Sequence, residues 1–147
     1  MDHTPQPTRQ MLPKIRLALE TAGTCRLEVT GRSMEPFLYE GRDAVLLTPL
    51  DRPARRGDIL FYLRGTETCI LHRVHRVRPD GLLELCGDAQ VGLEPVSPGQ
   101  VLAVVTHIDR AGRQIPCDSL SQRSKAALWQ LLRPVRPWLI LFIRKFL

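Results

Sequence analysis

The stretch Ile59-Leu60-Phe61-Tyr62-Leu63-Arg64-Gly65-Thr66-Glu67-Thr68-Cys69-Ile70-Leu71-His72-Arg73-Val74-His75-Arg76-Val77 predicts two β-strands joined by a tight turn. Residues 59–63 are all apolar or aromatic, residues 64–67 have the composition of a hairpin turn, and residues 69–77 form a second strand-like run. A hairpin of this kind pairs its strands in antiparallel fashion, so the stretch indicates an antiparallel sheet rather than a parallel one.

Further strand signals lie on both sides of this hairpin. Similar short runs occur at residues 25–29, 44–48, 82–86 and 101–108, each bounded by turn-forming residues. Six or so short strands with little helix between them predict a mostly β fold, a single coiled antiparallel β-barrel or sandwich. Residues 87–99 are rich in glycine and proline and are predicted to form a loop.

The chain length of 147 residues is typical of a single domain with a real hydrophobic core. Residues 1–8 are predicted to be a loose arm, residues 9–23 a short N-terminal helix, residues 24–117 the β core and residues 118–147 a C-terminal helical tail. The polar, proline-containing N-terminus carries neither a signal peptide nor a membrane anchor, so we expect a cytoplasmic protein.

Charge and cysteine content limit the classes of partner. The net charge is +6, but the arginines are scattered with no run of five, so no nucleic acid partner is expected. The four cysteines form no Cys-x-x-Cys pair and have no histidine at zinc-finger spacing. We therefore expect reduced thiols in the core, no metal site and no cofactor.

The tail from Ser121 to Leu147 differs in character from the rest of the chain. Two helix-like apolar segments are separated by Pro134 and Pro137, and basic residues flank them. Neither apolar run is long enough to cross a bilayer. One interpretation is a helix packed on the barrel or on a partner protein, and the other is a helix that docks on a membrane surface.

A serine turn follows the first strand, at Thr30-Gly31-Arg32-Ser33-Met34-Glu35-Pro36-Phe37-Leu38. Gly31 can adopt a positive φ and Pro36 rigidifies the chain, so the turn can present the Ser33 hydroxyl on a fixed backbone. Taken alone, such a serine is also an ordinary polar turn residue.

Two further segments carry groups that can act on protons. His72 and His75 point to opposite faces of a regular strand, which argues against a shared metal site. Downstream, Asp88 follows the strand that ends at residue 86, and Glu94 lies six residues beyond Asp88.

Together these segments resemble the signal peptidase I superfamily, which also includes the self-cleaving LexA-like repressors. The family's Gly-x-Ser-Met-x-Pro box matches Gly31-Arg32-Ser33-Met34-Glu35-Pro36. Its Arg-Gly-Asp-Ile segment matches Arg56-Gly57-Asp58-Ile59, its general-base strand matches Ile70-Leu71-His72-Arg73-Val74, and its Gly-Asp box matches Gly87-Asp88-Ala89-Gln90. The four boxes occur in the family's order between residues 27 and 108.

The resemblance implies a serine endopeptidase with Ser33 as nucleophile and His72 as general base. Bacterial members place a lysine at the base position, so the histidine resembles the archaeal and endoplasmic-reticulum type. A histidine base needs a carboxylate to orient it. Asp88 is favoured for that role by its place in the Gly-Asp box, and Glu94 is the possible substitute.

The resemblance also implies a substrate-binding turn and a peptide partner. The Ser33 backbone N–H is the expected oxyanion donor, and Gly31, Arg32, Met34 and Pro36 are the expected neighbours of the bound substrate. The substrate is expected to be an extended peptide or precursor leader in a peptide or protein partner. The alternative is a non-catalytic peptide-binding module, or a membrane-surface accessory module, that retains the family scaffold.

Overall fold

The computed structural model describes residues 11–66 and 68–146. The predicted loose arm at residues 1–8 lies outside the described residues. The strands are β1 (Cys25–Glu28), β2 (Asp43–Thr48), β3 (Ile59–Arg64), β4 (Thr68–Val77), β5 (Leu83–Cys86), β6 (Glu94–Val96), β7 (Val101–Arg110) and β8 (Arg113–Pro116). The helices are α1 (Leu12–Ala22), α2 (Leu120–Leu131) and α3 (Arg136–Phe146).

All eight strands belong to one antiparallel sheet in the order β1-β2-β7-β3-β4-β5-β6, with β8 added to β7. The predicted hairpin is confirmed as β3 and β4, with Phe61 opposite Leu71. The expected closure into a barrel is not found, because β1 and β6 lie at opposite ends of the described sheet and do not pair with each other. Closure depends on strand tilt and stagger, which local sequence patterns do not specify.

The predicted loop at residues 87–99 contains regular structure. Glu94–Val96 forms β6, which pairs with β5, and a 3-10 turn covers Pro98–Gln100. Because β6 is an edge strand, Pro95 can lack a backbone N–H without breaking a ladder. Three residues with a proline in the middle carry too weak a pattern to be recognised as a strand.

Both faces of the sheet carry buried apolar side chains. Side chains along β3 alternate between these faces and contribute to two separate hydrophobic clusters. Leu60 and Tyr62 pack with residues of β4, β5 and β6, whereas Ile59 and Phe61 pack with α1, β1 and the Ser33 turn. The coiled sheet brings the segment after β6 back to β3, where the Gln100 side-chain amide donates to the Leu63 carbonyl at 3.0 Å.

The C-terminal helices contact β4 and the loop after β5 through a few buried side chains. Ser119 caps α2 by accepting the Gln122 N–H at 3.3 Å, and a 3-10 turn at Arg133–Val135 separates α2 from α3. The buried side chains of the two helices are Ala126, Trp129, Gln130, Arg136 and Ile140. In residues 11–66 and 68–146 no helix has the length and apolar character that crossing a membrane requires.

Candidate active site

The Ser33 turn is fixed by core contacts on its far side. Gly31 has φ +79°, a conformation that favours glycine. The Met34 carbonyl accepts the N–H groups of Phe37 and Leu38, and the Met34 and Leu38 side chains are buried in the core. Ser33 itself is half-buried, so its hydroxyl is carried by an anchored backbone close to the surface.

His72 lies in the middle of β4 with only 6% of its surface exposed. Its Nδ1 atom is 3.3 Å from the hydroxyl oxygen of Tyr62. Tyr62 is opposite Ile70 in the β3–β4 register, so the tyrosine and the histidine are diagonal neighbours on one face of the hairpin.

The Tyr62 hydroxyl connects the histidine to Glu94. It donates a hydrogen bond to Glu94 Oε2, and the same carboxylate accepts two bonds of 2.6 Å from Nε and the terminal amino group of Arg64. These bonds, with that of Arg64 as the largest contribution, lower the pKa of Glu94, so the carboxylate is ionised at neutral pH. Burial and the neighbouring carboxylate raise the pKa of Tyr62, so its hydroxyl keeps its proton.

The ionised state of Glu94 assigns the protons in this chain of groups. An ionised Glu94 is only an acceptor, so the single proton of Tyr62 points toward it. The Tyr62 oxygen can then only accept from His72, which requires a proton on Nδ1. A neutral imidazole with a protonated Nδ1 has its free lone pair on Nε2.

Nε2 of His72 faces the Ser33 turn across Gly87. A Cβ atom at position 87 would lie 3.0 Å from His72 Nε2 and 2.7 Å from the Ser33 carbonyl oxygen, so both atoms border one point. The Ser33 carbonyl also accepts the Ala89 N–H at 2.8 Å, which ties the serine turn to the loop after β5. Glycine at position 87 therefore allows the histidine and the serine turn to approach each other.

Burial lowers the pKa of His72 to about 4, and the positive charge of Arg64 acts in the same direction. The imidazole is therefore neutral at pH 7 and able to accept a proton. The hydroxyl of Ser33 and the ring of His72 are not hydrogen-bonded to each other.

Asp88, the favoured candidate for orienting His72, lies in a different set of contacts. Arg73 donates to its carboxylate at 2.8, 2.9 and 3.2 Å, and also to the Gly57 carbonyl at 3.0 Å. The Arg73 guanidinium lies over the Phe37 ring at 4.8 Å. Asp88 is 1% exposed and engaged by arginine, whereas Glu94 reaches His72 through Tyr62, so the geometry favours Glu94 for orienting the histidine.

The predicted substrate-binding residues differ in their exposure. Arg32 is exposed and its Nε lies 3.4 Å from Glu35, while Pro36 is half-buried and Met34 belongs to the core. In the part of the chain that the structure describes, the Ser33 N–H donates to no acceptor. An N–H that is free beside a nucleophile is suited to an oxyanion.

A small cavity adjoins Ser33 between the end of β1 and strand β4. Its volume is about 30 Å³, and its walls include Leu27, Val29, Met34, Phe61 and Leu71. That volume is close to the share of one water molecule in the liquid. Glu28, Thr30 and Ser33 also line it, so the cavity is small and partly polar.

The C-terminal helices brace the loop between β5 and β6. Trp129 of α2 donates its ring N–H to the Asp88 carbonyl at 2.7 Å. Arg136 of α3 is 2% exposed and donates to the Gln90 carbonyl at 3.0 Å and to the Gly87 carbonyl at 3.4 Å. The tail therefore supports the backbone that faces His72 and Ser33.

A second cavity lies elsewhere and does not include the candidate site. It has a volume of about 730 Å³ between the sheet and α2, and Arg52, Asp58, Cys117 and Gln130 are among the residues that line it. Among the described residues, no group of three or more histidine, cysteine or acidic side chains is arranged to hold a metal ion.

Tyr62 and Arg64 were not identified as site residues from the sequence. Tyr62 stands in an apolar run and is indistinguishable there from a packing residue, and Arg64 was assigned to the hairpin turn. The one available signal is that a buried tyrosine hydroxyl needs a hydrogen-bond partner.

Comparison of the chain with protein-family models, with curated proteins and with solved structures found no match.

Proposed function

We propose that the protein is a serine endopeptidase in which Ser33 is the nucleophile and His72 is the general base. The observation that carries the proposal is that Nε2 of His72 and the carbonyl oxygen of Ser33 border one point beside Gly87, while Nδ1 of His72 contacts the Tyr62 hydroxyl, which donates to Glu94. This is the arrangement that a serine hydrolase requires: a nucleophile, a base, and a carboxylate that orients the base.

The proposed reaction has two halves that use the same groups. Ser33 Oγ attacks the carbonyl carbon of the scissile bond, and its proton moves to His72 Nε2. The Ser33 N–H stabilises the resulting oxyanion, and Glu94, acting through Tyr62, stabilises the imidazolium. His72 then gives the proton to the leaving amine. Water attacks the acyl-enzyme with His72 again as base, which releases the carboxylic acid and restores Ser33.

An extended peptide with a small side chain before the scissile bond is the substrate that fits best. The cavity of about 30 Å³ beside Ser33 is small, which favours a small side chain at that position. Strand β1 leads into the Ser33 turn, and among the described strands it pairs only with β2. Its free edge can therefore accept an additional strand from a peptide.

The resemblance to the signal peptidase superfamily supports the proposal independently. The Gly-x-Ser-Met-x-Pro box, the His72 strand and the Gly-Asp box are separate in sequence but meet at Gly87 in the fold. A catalytic core of the signal-peptidase type is therefore the finer description that we propose for this open, coiled sheet. Within that description Asp88 organises the fold and Glu94 orients the histidine.

The proposal can be tested with a fluorophosphonate probe, which forms a covalent bond with activated serines, together with cleavage of an extended peptide library. We expect stoichiometric labelling at Ser33, and we expect Ser33→Ala and His72→Ala to abolish both labelling and cleavage. The matched controls are Ser124→Ala on the exposed side of α2 and His75→Ala on the same strand as His72, and both should retain activity.

The rival function is peptide binding without cleavage. It predicts that library peptides bind with similar affinity to the wild type and to Ser33→Ala, while the probe labels neither protein above the level of a denatured control. That result would contradict the peptidase proposal and leave the binding module as the better description.

A further inference from the structure

Helix α3 presents apolar side chains on the face that points away from the sheet. Its inner face consists of Arg136 and Ile140, which are buried one turn apart. Its outer face carries four large apolar residues that are between 59% and 76% exposed, namely Trp138, Leu141, Phe142 and Phe146. Large apolar side chains that lie together and exposed on one helix face mark a surface that docks on another surface, so the outer face of α3 calls for a covering surface.

The charge distribution of this region is one-sided. From residue 119 to residue 147 the sequence contains no aspartate or glutamate but six basic residues, Arg123, Lys125, Arg133, Arg136, Arg144 and Lys145. Arg136 is buried beneath the helix, and the other five surround the outer face or precede it along the chain. Lys145 lies among the exposed apolar residues, with its Nζ 5.5 Å from the centre of the Phe146 ring.

We infer that the outer face of α3 docks on an anionic lipid surface, with the helix lying in the plane of the interface. Exposed tryptophan, phenylalanine and leucine flanked by lysine and arginine are the composition of an interfacial helix. An 11-residue helix is about 16 Å long, which suits an interface and is too short for a crossing.

The charges select lipid over a second copy of the chain. Docking of two copies through this face would bring two sets of basic side chains together, and the acidic side chain beside them, Glu35, already pairs with Arg144 and Arg32. An anionic bilayer offers both an apolar interior for the exposed rings and negative headgroups for the basic side chains.

The docking face is adjacent to the candidate active site. Arg144 at the end of α3 lies 3.4 Å from Glu35, and Glu35 also pairs with Arg32, which immediately precedes Ser33. Lipid docking would therefore place the serine turn near the bilayer surface. The inference stands on α3 alone and does not depend on whether Ser33 is a nucleophile.

Tryptophan fluorescence with vesicles provides the test, because the chain has two tryptophans in opposite environments. Trp129 is buried and hydrogen-bonded to the Asp88 carbonyl, whereas Trp138 is 76% exposed. With vesicles of phosphatidylcholine and phosphatidylglycerol in equal parts, we expect a blue shift of the emission and co-sedimentation. Trp138→Phe should keep co-sedimentation but lose the shift, because the remaining tryptophan does not move into lipid.

Matched variants separate the apolar and charged contributions. Leu141→Ser should weaken binding at least tenfold, while Leu17→Ser, which changes an equally exposed leucine on α1, should leave it unchanged. Lys145→Gln should weaken binding to the anionic vesicles roughly fivefold and leave binding to pure phosphatidylcholine unchanged.

Three outcomes would overturn the inference. The first is no binding to the anionic vesicles by the full chain, and the second is binding that Leu141→Ser leaves intact. The third is lipid-free self-association of the wild type that Leu141→Ser abolishes, because a second copy would then be the occupant of this face.

Discussion

Replacing Tyr62 with phenylalanine tests the proposed orientation of His72 with the loss of a single oxygen atom. The tyrosine ring is fully buried, so phenylalanine keeps its packing. The change removes the acceptor that lies 3.3 Å from His72 Nδ1 and disconnects Glu94 from the imidazole. His72 stays on the same strand with its Nδ1 proton unpaired.

The expected size of the effect follows from that unpaired proton. A buried donor without an acceptor costs about 1–3 kcal/mol, and the imidazole can avoid this cost by moving its proton to Nε2. Because only the form with a free Nε2 can accept the serine proton, the competent fraction falls roughly 5- to 150-fold. We expect kcat to fall by this factor and KM to change little, because the hydroxyl lies away from the cavity beside Ser33.

The rate of Ser33 acylation by a fluorophosphonate probe at pH 7 measures the loss of reactivity, and ¹⁵N NMR of His72 reports directly which ring nitrogen carries the proton. The matched control is Tyr39→Phe, since Tyr39 is the other tyrosine of the chain and lies outside this chain of groups. If the Tyr62 variant acylates at the wild-type rate, or if its histidine keeps the proton on Nδ1, the proposed role of Tyr62 is refuted.

Three further predictions concern neighbouring groups. Glu94→Gln should slow acylation with little loss of stability in urea. Asp88→Asn should lower the free energy of unfolding by about 3–5 kcal/mol, because it leaves the buried Arg73 without its partner. Equal losses of stability in the two variants would contradict this division of roles. Gly87→Ala should lower the free energy of unfolding in urea by about 1–3 kcal/mol, because its Cβ would collide with the Ser33 carbonyl. The control Gly92→Ala, whose Cβ would meet nothing within 4 Å, should leave stability unchanged. Equal losses in the two variants would refute the close approach of the Ser33 turn to Gly87. The pKa of His72 is about 4 in the folded state and near 6.5 in the unfolded state. The contribution of this group to stability should therefore be full above pH 6.5 and fall by about 3 kcal/mol toward pH 4. A His72→Gln variant whose unfolding has the same pH dependence as the wild type would contradict this.

Much of the sheet could be predicted because its signals are local. The β3–β4 hairpin depends on two apolar runs and a short turn, all within residues 59–77, and the structure confirms it. Strand β6 was missed because it is held by pairing with β5 and by its buried Val96, not by its own composition. Closure into a barrel was expected wrongly because it depends on register across the whole sheet.

The candidate site was predictable only in part for a similar reason. Ser33 and His72 lie in boxes that can be recognised in the sequence, and Gly87 follows from the box that contains Asp88. Tyr62 reaches Glu94 only because the sheet coils until β6 meets β3, and nothing within either strand indicates that contact.

The two arginine–carboxylate pairs show why position in a motif is not enough to assign a role. Arg73 and Asp88 have side chains that are 8% and 1% exposed and engage each other through three hydrogen bonds, so this carboxylate is committed to holding β4 and the Gly87 loop together. Arg64 and Glu94 are 49% and 29% exposed, and their carboxylate is shared with a tyrosine that touches the histidine. Of the two carboxylates, only Glu94 is hydrogen-bonded to a group that contacts the ring of His72, so the proposed role of orienting that ring is assigned to Glu94.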